Sequence, residues 1–233
     1  MSVEPASERL IGRRLLRQED PRLVTGKGAY VTDLALPGIL HMAVLRSPHA
    51  HARIARVNAD HARRVSGVVG VFTAGDLRDV GLLPVMAHPP GQRQTDFPVL
   101  PIDRARYVGQ PLAAVVAETR YAAQDGVETL DVTYDPLPVV ADVAQATAPG
   151  APKLYDDWPD NVVVAREIGS GDPDAIFATA PTVVEVRFTM PRQTAAPMEG
   201  RAICARFDGD TGELTVWASS QAPHLFRTVL AGV

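Results

Sequence analysis

Between Leu112 and Pro138 the sequence leaves little freedom in how it can fold. Leu112 to Ala117 is an apolar run of strand length, the pattern of a strand buried on both faces. Thr119 follows as an N-cap, because a hydroxyl just before a helix can accept an otherwise unpaired backbone N–H. Arg120 to Glu128 has helical spacing, and Leu130 to Tyr134 returns as a strand that Asp135-Pro136-Leu137-Pro138 stops. This order predicts a βαβ unit. The surrounding chain is richer in strands, so the expected fold class is α+β with a mixed sheet.

The flanking segments read as short pieces divided by Gly and Pro. Leu23 to Asp33 is expected to be a short strand with a tight bend. Pro37-Gly38 is a turn signal that launches an apolar run from Ile39 to Leu45, and Ala52 to Asn58 is a second strand candidate. A short helix at Asp60 to Val65 and a strand at Val68 to Phe72 follow, with Thr73 placed to cap a helical turn. Residues 80–104 hold Pro84, Pro89, Pro90, Pro98 and Pro101 without periodicity, which predicts a long loop, and such loops are usually functional or interface-forming. From Thr147 to Asp160 the composition turns to Ala, Pro, Gly and Asp, marking a linker in which Tyr155 and Trp158 are expected to pin the chain to a domain surface. Beyond it, Asp172 and Pro173 open a helix, Thr182 to Met190 alternates as a half-buried strand should, and Ala202 to Phe207 with Glu213 to Ala218 forms a hairpin. The divisions are therefore an arm at 1–22, a first domain at 23–146, a linker at 147–160 and a second domain from 161 to 233. The run from Ser219 to Val233 reads as a strand end and an apolar helix without a terminating cap, so the chain is expected to be the front of a larger assembly.

Composition narrows the partners. A net charge of −4 with scattered arginines offers no basic stripe for a phosphate backbone, which argues against nucleic acid. No stretch reaches 18 uninterrupted apolar residues, and the opening residues carry neither a basic nor an apolar leader segment, so a cytoplasmic location is expected. The single cysteine, Cys204, cannot hold an iron–sulfur cluster, which takes about four thiolates.

Several residues invite a chemical reading. Lys27 lies between Gly26 and Gly28, but the spacing departs from a phosphate-cradling Walker loop. His49 and His51, with His41 upstream, would project to one face if strand-borne, yet no acidic or cysteine ligand stands nearby in sequence. Ser219 or Ser220 with His224 lacks the Gly-x-Ser-x-Gly elbow of a hydrolase. Gln221, at a strand end before Pro223, reads on its own as a helix cap. Glu199 beside Met198 is open between a buried acid and a structural anchor.

Taken in order, these segments resemble a known family. Gly26-Lys27-Gly28-Ala29-Tyr30 with Asp33, then Pro37-Gly38-Ile39-Leu40-His41 and Arg46-Ser47-Pro48-His49-Ala50-His51-Ala52, are similar to the opening of the molybdenum-binding subunit of the xanthine oxidase family. Tyr107 to Ala117 and Val132 to Pro138 resemble that family's aldehyde oxidase/xanthine dehydrogenase hammerhead domain. Arg192-Gln193, Pro197-Met198-Glu199 and Ser219-Ser220-Gln221-Ala222-Pro223-His224 look most like the branch that includes the carbon monoxide dehydrogenase large subunit. Gly200 departs from the proline more usual in the family.

The resemblance implies a hammerhead domain followed by an incomplete first lobe of a molybdopterin-binding domain. It implies an oxidoreductase that hydroxylates a small aldehyde, an N-heterocycle or a similar carbon centre with water-derived oxygen at a molybdenum–molybdopterin cytosine dinucleotide. Gln221 is the one position it marks as cofactor-binding, since an amide can donate to an oxo ligand without competing for the metal. No residue here is implied as catalytic or as a metal ligand: the family's general-base glutamate and Gly-Gly-Gly-Phe-Gly loop are not among these residues, so the chain alone is expected to be inactive. Cys204 falls in an expected strand, not in a cysteine-bearing loop of the kind carbon monoxide oxidation uses in relatives. Expected partners are the remaining molybdopterin-binding domain or subunit, an iron–sulfur subunit, an FAD subunit and a small-molecule substrate. The other reading is a non-catalytic truncated module that only makes subunit contacts.

Overall fold

A computed structural model describes residues 11–12, 14–95 and 97–233. Residues 1–10 and 13 of the expected arm lie outside the described residues. In chain order the elements are α1 (Asp20–Val24), β1 (His41–Arg46), β2 (Ala52–Asn58), β3 (Val68–Thr73), β4 (Arg104–Ala105), β5 (Pro111–Ala117) and α2 (Arg120–Glu128). They continue with β6 (Asp131–Pro136), α3 (Val143–Ala146), α4 (Pro173–Thr179), β7 (Ile203–Asp208), β8 (Glu213–Ala218) and α5 (Pro223–Gly232). Two compact units result: one joins the segment up to Leu36 with Arg192–Pro223, and the other takes Pro37–Pro191 with His224–Val233.

The α+β class holds, but the sheets are antiparallel. One runs β1-β5-β3 and another β4-β2-β6, and every pairing in them is antiparallel. The expected βαβ unit in a mixed sheet is thus replaced. Both edges of β5 are occupied, by β1 with Ala43 opposite Val115 and by β3 with Val71 opposite Val115, so β6 joins β2 in the other sheet. The helix between them forms as its residues direct, with Thr119 Oγ1 accepting the Ala122 N–H at 3.1 Å.

The core of the larger unit lies where α2 meets this first sheet. Val115 is fully buried, and Val71, Val127, Ala59 and Ala62 cluster with it, with Ala43, Leu45, Val68 and Leu130 packed at the margin. Burying a valine side chain of this kind contributes about 1.5–3 kcal/mol. Helix and sheet approach closely because position 126 lacks a side chain: a Cβ on Gly126 would stand 2.7 Å from Val115 Cγ1.

Residues 153–161 are tied down, with Tyr155 and Trp158 held against other parts of the same unit. Arg104 grips Asp156 with two hydrogen bonds, Nη1 to Oδ1 at 3.1 Å and Nη2 to Oδ2 at 2.7 Å. Tyr155 and Trp158 stack with centroids 4.6 Å apart, Arg106 lies 4.8 Å over Tyr155, and Arg93 lies 5.4 Å over Trp158. Each ring has only two faces and shares one with the other, so the arginines cap the outer faces of a four-layer stack. Lys153 Nζ donates to the carbonyls of Asp156 and Trp158, and the Asn161 amide donates to those of Ala146 and Pro152.

Two expectations fail locally. Residues 23–33 form no strand: Pro21 in the first turn and Asp20 start α1 instead, and Val31–Asp33 makes a single 3₁₀ turn. Thr182 to Met190 is unpaired among the described residues, with Val184 78% and Phe188 82% exposed. Its alternation is a local property, whereas a strand also needs a neighbouring edge for its N–H and C=O groups.

Candidate functional site

The hairpin of β7 and β8 sets the geometry around Gln221. Ile203 pairs with Ala218 at its open end and Asp208 with Glu213 at its closed end. Asp208 fixes the turn: its Oδ1 accepts the N–H groups of Asp210 at 3.0 Å and Thr211 at 3.1 Å, and Gly212 completes the bend at φ +70°. Those bonds, the Thr211 N–H first, hold the Asp208 carboxyl below its usual range.

Beyond β8 the chain turns through Ser219-Ser220-Gln221-Ala222 into α5. Ser219 extends the hairpin, its N–H donating to the Ala202 carbonyl at 3.1 Å, while its Oγ accepts the Ala202 N–H at 2.8 Å and lies 3.1 Å from the Gly200 carbonyl. Ser220 Oγ accepts the Ala222 N–H at 3.1 Å. Both hydroxyls therefore brace the backbone, which removes the support for either as a nucleophile. Gln221, directly after them, is exposed, and its amide makes no hydrogen bond among the described residues. The capping role open to it in sequence is not the one it takes. Glu199 Oε1 accepts the Val31 N–H at 3.4 Å, the contact of a structural anchor.

The histidines do separate jobs. Residues 47–51 bend instead of forming a strand, with Ser47 Oγ accepting the His49 N–H, so the one-face projection does not arise. His49 packs on Tyr134 at 4.7 Å between centroids, and burial pushes the Tyr134 hydroxyl pKa up. The buried His51 turns Nδ1 to the Pro138 carbonyl at 2.9 Å, which places the proton on Nδ1 because a carbonyl only accepts. His41 opens β1 opposite Ala117, and Cys204 sits within β7 opposite Trp217. No group of three or more His, Cys, Asp or Glu among the described residues could hold a metal ion. No described helix is long and apolar enough to cross a membrane.

Residues 25–138 match the family described as aldehyde oxidase and xanthine dehydrogenase, a/b hammerhead domain, and residues 154–233 match the molybdopterin cofactor-binding domain. The chain belongs to the aldehyde oxidase and xanthine dehydrogenase family. It is 39% identical to the carbon monoxide dehydrogenase large chain of Afipia carboxidovorans, a match covering 99% of this chain and 30% of that one. Against the nicotine 6-hydroxylase large subunit of Paenarthrobacter nicotinovorans it is 35% identical over 97% of its own length and 28% of the relative's. The solved quinoline 2-oxidoreductase of Pseudomonas putida 86 superposes with a TM-score of 0.86 at 35% identity, covering 97% of this chain and 29% of that one. This family member thus spans about 30% of the length of these two curated relatives. Its relatives are oxidoreductases, and the matched domain gives it a molybdopterin fold context.

In this hammerhead-family chain the arginine clasp on residues 155–160 has no signature in the sequence. Arg93, Arg104 and Arg106 are scattered among prolines and turns, and no spacing relates them to Tyr155, Asp156, Trp158 and Asp160. The only sequence signal was the aromatic pair itself.

Proposed function

We propose that these residues supply the scaffold and part of the cofactor pocket of a molybdenum hydroxylase that oxidises a small aldehyde, an N-heterocycle or a similar carbon centre with water-derived oxygen. The observation that carries this reading is the unbonded amide of Gln221, offered from a turn whose neighbouring hydroxyls are both spent on bracing the backbone. Such a group fits a pterin-bound metal: it is a neutral donor for an oxo ligand, and the brace limits how far it can swing. When bound, the molybdenum–molybdopterin cytosine dinucleotide would supply the oxygen transfer and accept the electrons. Gln221 would orient one ligand of that group, and the β7–β8 hairpin would hold the turn in place.

The working division is a hammerhead domain at 23–146, a linker at 147–160 and the start of the molybdopterin-binding domain at 161–233. Matches at 25–138 and 154–233 support it. The base and the glycine-rich loop would come from further molybdopterin-binding sequence, and the iron–sulfur and FAD centres from other subunits in a cytoplasmic complex. The 233 residues alone would then not turn over substrate. Purification from the native host, followed by assay for molybdenum, pterin and co-purifying chains, tests this. Molybdenum together with sequence carrying the glycine-rich loop is the expected result. A metal-free, solitary protein would overturn it in favour of a module that only makes subunit contacts.

A further inference from the structure

Arg93 lies within the proline-rich stretch, where residues 80–103 contain no helix or strand among those described. Among the described residues the loop's own ties are few and local. Leu83 N–H donates to the Phe97 carbonyl at 2.7 Å and closes it, Gln92 N–H reaches the Pro89 carbonyl at 3.1 Å, and Gln94 Nε2 meets His88 Nδ1 at 3.0 Å. Among the described residues Arg93 makes three contacts of different kinds with residues 158–163. Its backbone N–H donates to the Val163 carbonyl at 2.9 Å, its Nη1 donates to the Asp160 carboxylate, and its guanidinium covers the outer face of Trp158.

The linker on the other side of these contacts is anchored independently. Asp156 is gripped by Arg104 of β4, and Tyr155 is covered by Arg106 just beyond it. Trp158 is only 9% exposed. A loop with few internal hydrogen bonds among the described residues thus meets a segment fixed to the sheet, and Arg93 supplies a backbone hydrogen bond, an ion pair and a ring contact to it. We infer that Arg93 is a latch that couples the proline-rich loop to the interdomain linker, so that displacing either segment loosens the other. The coupling is reciprocal by thermodynamic necessity, because contacts shared by two segments stabilise both. The hydrogen bond from Arg93 also holds the Asp160 carboxyl below its usual range, as an ion pair in place at neutral pH should.

Amide hydrogen exchange on the full chain tests the latch from both ends. Asp160→Ala, a change on the linker, is expected to speed exchange in peptides covering residues 81–95 about two- to fivefold, the scale of one exposed ion pair or cation–π contact. Arg93→Ala, a change on the loop, is expected to do the same in peptides covering residues 154–163. The double variant should exceed neither single by the full product of the two. Faster exchange confined in each case to the mutated segment would overturn the proposal. Should Arg93→Ala also expose β5 and α2, Arg93→Lys takes its place, since it keeps a cation for Asp160 and loses the planar fork over Trp158. A joint rise in both segments then supports the latch, and a rise in the loop alone overturns it.

Discussion

Gly126 of α2 faces Val115 of β5 so closely that an added Cβ would lie 2.7 Å from Val115 Cγ1 and 3.1 Å from Val68 Cγ2. Two effects compete at this position. Alanine would gain about 1 kcal/mol of helix propensity over glycine, while overpacking a filled core costs about 1–3 kcal/mol. Both contacting atoms belong to β-branched side chains with little rotamer freedom, so the clash wins. Gly126→Ala is expected to lower stability by about 1–2 kcal/mol, read as a lower denaturant midpoint at unchanged slope. A higher midpoint would mean that helix and sheet can separate at little cost.

Asp156 gives its segment an acid-sensitive hold. Its carboxyl is held below the usual range, first by the hydrogen bonds from Arg104 and then by that residue's charge. The folded state therefore binds fewer protons than the unfolded one between the lowered value and the ordinary carboxylate value of about 3.9. The stabilisation is complete above that ordinary value and is lost as pH falls through the folded one. Asp156→Asn should flatten the fall in melting temperature between about pH 5 and pH 2, with Asp160 leaving a residual slope of the same sign. Parallel acid limbs in variant and wild type would count against this hold.

Ser219 and Gln221 should separate structure from chemistry. Ser219→Ala removes an acceptor from the Ala202 N–H and a donor to the neighbouring carbonyls, a loss of about 1 kcal/mol that local exchange at Ala202 would register.

Gln221→Ala, at an exposed position without a hydrogen bond among the described residues, should change stability by less than about 0.5 kcal/mol. Its effect is expected in the assembled enzyme as lower turnover at normal molybdenum content. Turnover equal to wild type would remove Gln221 from the cofactor pocket.

The sequence made the short-range structure legible. Thr119, Asp172 and Thr73 mark helical starts because each side chain bonds within three residues of itself, and the structure realises Thr119 with Ala122, Asp172 with Ala175 and Thr73 with Asp76. Pairing partners were not legible. Nothing between Leu112 and Tyr134 says that β1 and β3 occupy both sides of β5, because those contacts are written elsewhere in the chain. The same separation hid the clasp, where Arg104 and Asp156 are 52 residues apart. Gln221 was marked by likeness to a family, since a single amide before a proline carries no periodic signal of its own.

The Val31 N–H and the carboxylate that receives it are 168 residues apart, and the whole of Pro37–Pro191 belongs to the other unit. At the ribosome, where chains grow by about 5–20 residues per second, the segment before Leu36 would wait roughly 10–30 s for Glu199 to be made. Val31 thus meets its partner only after the strands of the other unit have been made. Until then the N–H of Val31 has only water to satisfy it, while strands β1 to β6 already have all their pairing partners in the chain.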